Sequence, residues 1–291
     1  MNYANSPYIR MIIRQALEED IGKRDITTEL IIPKDKKSST VLIAKENCVV
    51  CGIDIAKLVF KGQDKNIKFK PLCKDGQNIK KGKIIARIYG RASGILTAER
   101  VALNFLSLLS GIATTTRNYV DRIKPYKVKI MDTRKTIPGL RQLEKYAVMA
   151  GGGFNHRLRL DEMVMIKDNH IAASGFRLQA SGVKKIIEAV KKKKTKDIKV
   201  EVEVKNLREF KEALMVKPDI IMLDNMKLID TRKAVKIRGN MQYAIRNTLL
   251  EASGGITLKN VRRIASTGVD MISVGALTHS IKSIDISLEV L

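Results

Sequence analysis

One unit recurs along the second half of the chain and limits its fold more than any other feature. A short apolar run is followed by a helix-patterned stretch and then by the next run: Val128–Met131, Met163–Ile166, Ile198–Val204, Asp219–Leu223, Thr248–Leu250 and Met271–Val274. Strands separated by a helix cannot pair as hairpins, so they pair in parallel. Six such units in series, joined by right-handed crossovers, predict closure into a barrel rather than an open sheet. The helices between them carry their own signals. Asn206-Leu-Arg-Glu209 predicts a capping-box start with Leu207, Phe210 and Leu214 on one face, and Thr257 is placed to cap a helix bearing Val261, Ile264 and Ala265.

The first third reads differently. Ile9, Ile12, Ile13, Ala16 and Leu17 form one helical stripe. β-like runs follow at Thr40–Ala44, Cys48–Cys51, Lys68–Leu72 and Lys83–Ile88, with turns at Asp75-Gly76 and Lys81-Gly82. Residues Asp75–Gly90 look like the repeat of lipoyl or biotinyl carrier domains, but no lysine sits at a matching hairpin tip, so only β architecture is shared. A helical pattern resumes at Leu96 with Val101, Leu103, Phe105, Leu106 and Leu109 apolar. Its expected interruption at Ser110-Gly111 divides the chain into domains of residues 1–110 and 111–291, with the last residues able to pack back on the first domain.

Composition removes several function classes. Hydrophobic residues make up 44% of the 291 residues, enough for a sizeable core, and no apolar run approaches the roughly 20 residues of a membrane span. The N-terminus lacks a basic segment followed by an apolar one, so no secretory signal is read and the expected compartment is the cytoplasm. Cys48 and Cys51 form a Cys-x-x-Cys that would suit a redox pair or half a zinc site; inside an apolar run, with no second ligand pair, they read as small buried hydrophobes. His156, His170 and His279 share no short metal-ligand spacing. No nucleophile elbow, Walker A loop or dinucleotide fingerprint is present. The net charge of +25 would suit nucleic acid, but aromatics are only 4%, Trp is absent and the lysines are dispersed, which argues against that partner. The densest run, Lys191–Lys194, ends an amphipathic helix and reads as a solvated face. A positive field also draws in a highly anionic small substrate.

Active sites of parallel α/β barrels gather at the C-terminal ends of the strands. Here those ends read Asp132-Thr-Arg134-Lys135, Lys167-Asp-Asn-His170, Glu201 and Glu203, Asp224-Asn225, Glu251-Ala-Ser253-Gly254-Gly255, and Gly275. Any one of these charges could be a solvated loop; their recurrence at six consecutive ends favours a site. Arg134, Lys135, His156, Arg157 and Lys167 form a cationic set suited to two or more carboxylates or phosphates, arginine offering a planar fork and lysine a point charge. Glu203 and Asp224 can hold ribose hydroxyls or Mg²⁺ with its retained waters. Ser253, Gly254, Gly255 and Gly275 supply backbone N–H groups for a phosphate at a helix N-terminus.

Asp132-Thr-Arg-Lys-Thr-Ile-Pro-Gly139, Glu144-Lys-Tyr-Ala-Val148, Gly151-Gly-Gly-Phe-Asn-His-Arg157, Ile166-Lys-Asp-Asn-His170, Leu223-Asp-Asn225 and Glu251-Ala-Ser-Gly-Gly-Ile256 closely resemble the quinolinate phosphoribosyltransferases. The likeness extends to Glu19-Asp-Ile-Gly22, Asp25-Ile-Thr27, Glu99-Arg100, Leu103-Asn104, Ser110-Gly-Ile-Ala-Thr114 and Ser273-Val-Gly-Ala-Leu-Thr-His279, in order over nearly the whole chain. It implies an N-terminal α/β sandwich domain plus an incomplete TIM-like parallel α/β barrel. It also implies transfer of phosphoribose from phosphoribosyl pyrophosphate to quinolinate with decarboxylation, and Mg²⁺ as cofactor. A homodimer or larger assembly is implied too, in which Arg100 reaches a partner's site. By the same resemblance Arg134, His156, Arg157 and Lys167 contact quinolinate; Lys135, Glu203 and Asp224 contact phosphoribosyl pyrophosphate and Mg²⁺; and Ser253, Gly254, Gly255, Gly275 and His279 lie at or near the phosphate. Arg134, Lys135, Lys167, Glu203 and Asp224 would carry the catalysis. Two positions depart from the family pattern: Arg24 and Arg159 stand where glycine is usual, the first in a loop, the second where it would crowd or charge the pocket. The competing readings are a molybdenum-transport-associated relative, a nicotinate-using transferase and a nucleic-acid-binding protein. The Asn155-His-Arg157 and Lys167-Asp-Asn-His170 sequences weigh against the first, and the number of cations against the second.

Overall fold

The computed structural model describes residues 6–175, 182–195, 197–240 and 247–291. Residues 1–5, on which the absence of a leader is partly read, lie outside the described residues. The elements run α1 (Pro7–Ile21), α2 (Ile26–Ile31), β1 (Lys37–Ala44), β2 (Cys48–Val49), α3 (Ile53–Gln63), β3 (Lys68–Pro71), β4 (Asn78–Ile79), β5 (Ile84–Arg91) and α4 (Ala92–Arg122). They continue with β6 (Lys129–Met131), α5 (Arg141–Ala150), β7 (Met163–Ile166), α6 (Asp168–Ala173), α7 (Gly182–Lys193), β8 (Lys199–Val204), α8 (Leu207–Met215), β9 (Ile220–Asp224), α9 (Leu228–Gly239), β10 (Leu249–Ser253), β11 (Met271–Ser273) and β12 (Ile286–Val290). Two compact units form. One holds Met1–Arg117, Thr136–Gly152 and Leu277–Leu291; the other holds Asn118–Lys135 and Gly153–Ala276.

In the first unit an antiparallel sheet of order β12-β1-β5-β3 packs with helices as an α/β sandwich. β12 joins it from the end of the chain, with Leu42 opposite Leu288. The stripe on α1 holds in part, with Ile9, Ile13 and Leu17 buried. α3 has no counterpart among the sequence expectations because its cap is remote. Gly52 opens it at φ 100°, and Asp75 Oδ1, far along the chain, accepts Ile53 N–H at 3.1 Å. Cys48, Cys51 and Cys73 are free and buried, and burial pushes the Cys48 thiol up to about 11, so these thiols are packing groups.

Two expectations for α4 are corrected. The helix is not interrupted at Ser110-Gly111 but runs through it unbroken. Ser110 turns its hydroxyl to the Cys51 backbone, accepting from N at 3.0 Å and donating to O at 3.2 Å. Gly111 admits a close approach rather than a break, since a Cβ there would lie 2.3 Å from the Lys282 carbonyl oxygen. The helix is also long and apolar enough, by length and composition, to cross a membrane, contrary to the sequence reading. Burial of 61% of its most apolar window, with Ala102, Leu106, Leu109 and Ile112 fully enclosed, makes it a core helix.

Glu144 on α5 is fully buried; its Oε1 accepts Ile137 N–H at 3.3 Å and Oε2 has no hydrogen-bond partner among the described residues. Burial pushes this carboxyl up to about 7, against the Ile137 N–H and Arg141, which favour the anion. The native state therefore binds the extra proton, so stability falls as pH rises from the ordinary value of 4.5 to about 7 and is level above that. Glu144→Gln keeps the shape without the titration. Its denaturation midpoint should drift less than that of the parent between about pH 5 and pH 7.5, as urea titrations at several pH values will show.

The second unit carries the six expected strands, all parallel, in the order β6-β11-β10-β9-β8-β7. β6 and β7 end the order without pairing, yet Met131 of β6 and Met163 of β7 pack in one cluster with Ile220 and Met271. The sheet is therefore curled into an incomplete barrel. Period-two alternation sets the two faces of β8: Val200, Val202 and Val204 are fully buried beneath the helices, while Glu201 and Glu203 point to the interior. α8 is capped as its sequence predicts, Asn206 accepting from Glu209 N–H at 3.0 Å. Asn206→Ala should lower stability by about 1 kcal/mol, measurable as a small fall in the melting midpoint. Thr257 is not the cap of the next helix, which runs Val261–Ala265 behind Asn260; the Asn260 side chain instead accepts from Thr257 N–H at 2.8 Å.

Candidate active site

The loop after β6 places Arg134 half-buried and Lys135 exposed, with Lys135 N–H donating to Thr133 Oγ1 at 3.1 Å. Beside it, Phe154 bridges to Met131 and brings the following residues along the barrel interior. Arg157 donates through Nη1 to the Met163 carbonyl at 2.8 Å and through Nη2 to Met165 Sδ at 3.5 Å, while its buried Nε has no hydrogen-bond partner among the described residues. Burial, and then the nearby charge of Arg134, push the Arg157 guanidinium below its ordinary range. Two arginines close enough for one to disfavour the other's charge concentrate positive potential that an anion would relieve.

His156 makes contacts at both ring nitrogens. Its Nε2 is turned to the interior, 3.0 Å from Glu201 Oε2 and 3.5 Å from Glu251 Oε2, and both carboxylates are fully buried. Its Nδ1 accepts Arg157 N–H at 2.8 Å, and its own N–H donates to the buried Asp132 Oδ1 at 2.8 Å. Burial alone would lower its pKa, but the two carboxylates raise it to about 10. The Arg157 N–H opposes a proton at Nδ1, whereas the carboxylates favour one at Nε2, facing Glu201. Burial, then the charge of Glu251, push Glu201 up in turn. Glu201 and Glu251 stand in the sequence among strand-end residues without a role. Strand alternation places Glu201 inside the barrel, but no local signal pairs it with Glu251.

At the end of β7, Lys167 Nζ lies 3.8 Å from Glu203 Oε2. Burial, and next the charge of Asp224, raise the Glu203 carboxyl, while Lys167 lowers it. Asp224 pairs in register with Ser253. Asn225, at φ 51°, donates from its backbone to Ser253 O at 2.8 Å and from Nδ2 to Asp224 Oδ1 at 2.9 Å. Gly254 and Gly255 follow Ser253 at φ 92° and 59°, conformations that favour glycine. The expectation of a helix starting there is corrected, because the next helix begins only at Val261. The Asn225 side chain also fills the space expected to be open, since a Cβ on Gly254 would lie 2.2 Å from its Oδ1.

The structure thus brings Arg134, Lys135, His156, Arg157, Lys167, Glu203, Asp224, Ser253, Gly254, Gly255 and Gly275 into one unit. Arg100, exposed on α4, and His279, bonded through Nδ1 to Ser280 Oγ at 2.7 Å, belong to the other unit. Neither departure from the family pattern disturbs its surroundings. Arg24 is exposed beside Glu29, with the turn supplied by Gly22 at φ 59°, and Arg159 faces Asp161 and Glu162 at 3.5 and 3.7 Å with 67% of its side chain exposed.

An incomplete parallel barrel with paired guanidiniums and paired carboxylates at its strand ends is a protein built to hold anionic small molecules. Its kin narrow that class. The description "Quinolinate phosphoribosyl transferase" fits the chain twice, as the N-terminal domain over residues 25–110 and as the C-terminal domain over residues 112–289. A probable nicotinate-nucleotide pyrophosphorylase [carboxylating] of Methanocaldococcus jannaschii is 45% identical over 286 residues, 97% of each chain. Its counterpart from Bacillus subtilis is 40% identical over 98% of this chain and 94% of its own. The solved nicotinate-nucleotide pyrophosphorylase from Francisella tularensis superposes with a TM-score of 0.87 at 42% identity, covering 98% of this chain and 96% of that one. The chain belongs to the quinolinate phosphoribosyl transferase family.

Proposed function

We infer that the protein transfers the phosphoribosyl group of phosphoribosyl pyrophosphate to quinolinate, releasing pyrophosphate and CO₂ and leaving nicotinate mononucleotide, a step of NAD biosynthesis. The observation that carries this reading is the Arg134–Arg157 pair: two adjacent guanidiniums in a half-buried recess suit an acceptor with two carboxylates. Arg134, Arg157 and Lys167 hold those carboxylates and aim the ring nitrogen at the anomeric carbon. Lys135 meets the departing pyrophosphate, and the N–H groups of Gly254 and Gly255, with Ser253 and Gly275, receive the 5-phosphate. Fixing both partners removes much of the entropy of a two-substrate reaction, and cations placed where negative charge grows stabilise the transition state.

The nitrogen attacks as pyrophosphate leaves, and the ring becomes cationic. That cation stabilises the carbanion left on the ring carbon when the adjacent carboxylate departs as CO₂, and a proton from solvent completes the new C–H bond, so decarboxylation follows transfer and no separate base is needed. Glu203 and Asp224, two hard oxygen groups of which one is raised by the other's charge, fit Mg²⁺ and would hold it through oxygen or water. Bound there, the ion neutralises pyrophosphate charge. His156 is placed in the acceptor half as a support rather than a direct contact. We place the enzyme in the cytoplasm as a homodimer or larger assembly, with Arg100 serving a neighbouring copy. Incubation with quinolinate, phosphoribosyl pyrophosphate and Mg²⁺ should give nicotinate mononucleotide, whereas nicotinate in place of quinolinate should give almost none. Equal use of nicotinate would overturn the reading.

A further inference from the structure

We propose that Glu201 and Glu251 are positioning residues for the acceptor half of the site: from inside the barrel they clamp the His156 ring and so fix the Arg157 guanidinium that faces quinolinate. The proposal rests on the functional reading above and adds two residues to it.

Glu201 lies on β8 between Met165 and Ile220 of the neighbouring strands, and Glu251 on β10 between Met222 and Met271. None of these strand neighbours can neutralise a carboxylate. A carboxylate removed from water in such company is costly unless a cation or hydrogen bonds satisfy it. Ser273 Oγ donates to Glu251 Oε1, but among the described residues Glu201 Oε1 and Oε2 and Glu251 Oε2 have no hydrogen-bond partner in good alignment. What faces them is the His156 ring, at 3.0 and 3.5 Å, approached out of line and so held by charge as much as by direction. The ring is thereby gripped at Nε2, while Nδ1 takes Arg157 N–H and Asp132 takes His156 N–H. Three fixed points on one residue set the peptide that leads to Arg157, whose head group is then aligned by Met163 O and Met165 Sδ.

His156, Glu201 and Glu251 also lie within 4.8 Å of one another, close enough in principle for a metal ion. Nδ1 already accepts a backbone N–H, and Nε2 stands at ion-pair distance, 3.0 Å, from Glu201 Oε2, so the geometry favours the clamp.

The test uses Glu201→Gln and Glu251→Gln in the whole protein, with the KM for each substrate and the melting midpoint measured. Each variant should raise the KM for quinolinate roughly tenfold or more while leaving that for phosphoribosyl pyrophosphate within about twofold. In a His156→Asn background, Glu201→Gln should add less than about twofold, because the link it acts through is gone. Unchanged quinolinate KM, or a rise in both constants with a fallen melting midpoint, would overturn the proposal. So would one equivalent of bound metal in the parent that is lost in Glu201→Gln. If the parent turns over no quinolinate, the functional reading fails by itself. The clamp is then judged by calorimetric binding of phthalate, an aromatic dicarboxylate, which the glutamine variants should weaken by the same factor; equal binding by parent and variants would overturn it.

Discussion

Arg157→Ala should lower kcat/KM for quinolinate by roughly two to three orders of magnitude, the loss typical of removing one preorganised donor to an anion in a reacting complex. Three consequences of the structure combine to make the effect large. The fork that meets a carboxylate disappears; the Met163 carbonyl loses its 2.8 Å donor; and the buried Glu201 loses a nearby compensating charge. Arg157→Lys keeps the charge but not the fork, and should recover only part of the loss. The KM for phosphoribosyl pyrophosphate should change little in either variant. Steady-state kinetics in both substrates, alongside a melting curve, separate this from general damage.

The second large effect is expected at Gly254. Alanine at φ 92° is strained by about 1–2 kcal/mol, and its Cβ would lie 2.2 Å from Asn225 Oδ1, so Asn225 must move. Moving it breaks the 2.9 Å bond from Asn225 Nδ2 to Asp224 Oδ1, on the phosphoribosyl side. Gly254→Ala should therefore lower stability by about 2 kcal/mol or more and raise the KM for phosphoribosyl pyrophosphate roughly tenfold. Gly255→Ala is the control. There the nearest contact is 4.0 Å and only the strain of φ 59° remains, so its effect should be clearly smaller. Equal effects at the two glycines would show that the Asn225 contact is not what matters.

What the sequence disclosed follows from periodicity. The Lys-Val-Glu-Val-Glu-Val of β8 states its own two faces, and each of the six parallel strands stands within a few residues of its apolar run. The cations at Arg134, Lys135 and Lys167 are legible because charges directly after an apolar run have no place in a core. The direction in which a side chain points is not legible. His156 reads as one more cation of the mouth; it turns inward because Glu201 and Glu251, far along the chain, present carboxylates with few other partners. Glycine is ambiguous for the same reason. Gly111 looks like a helix breaker and Gly254 like an open loop, yet both are small because Lys282 and Asn225 pass close to them. α3 escapes notice because Asp75, which caps it, is remote in sequence.

Decarboxylation that follows transfer, and depends on it, is the most direct test of the proposed reaction. With quinolinate labelled in the carboxyl group next to the ring nitrogen, labelled CO₂ and pyrophosphate should appear in equal amounts, and no CO₂ should appear without phosphoribosyl pyrophosphate. Release of CO₂ without the donor, or pyrophosphate formed without CO₂, would contradict it.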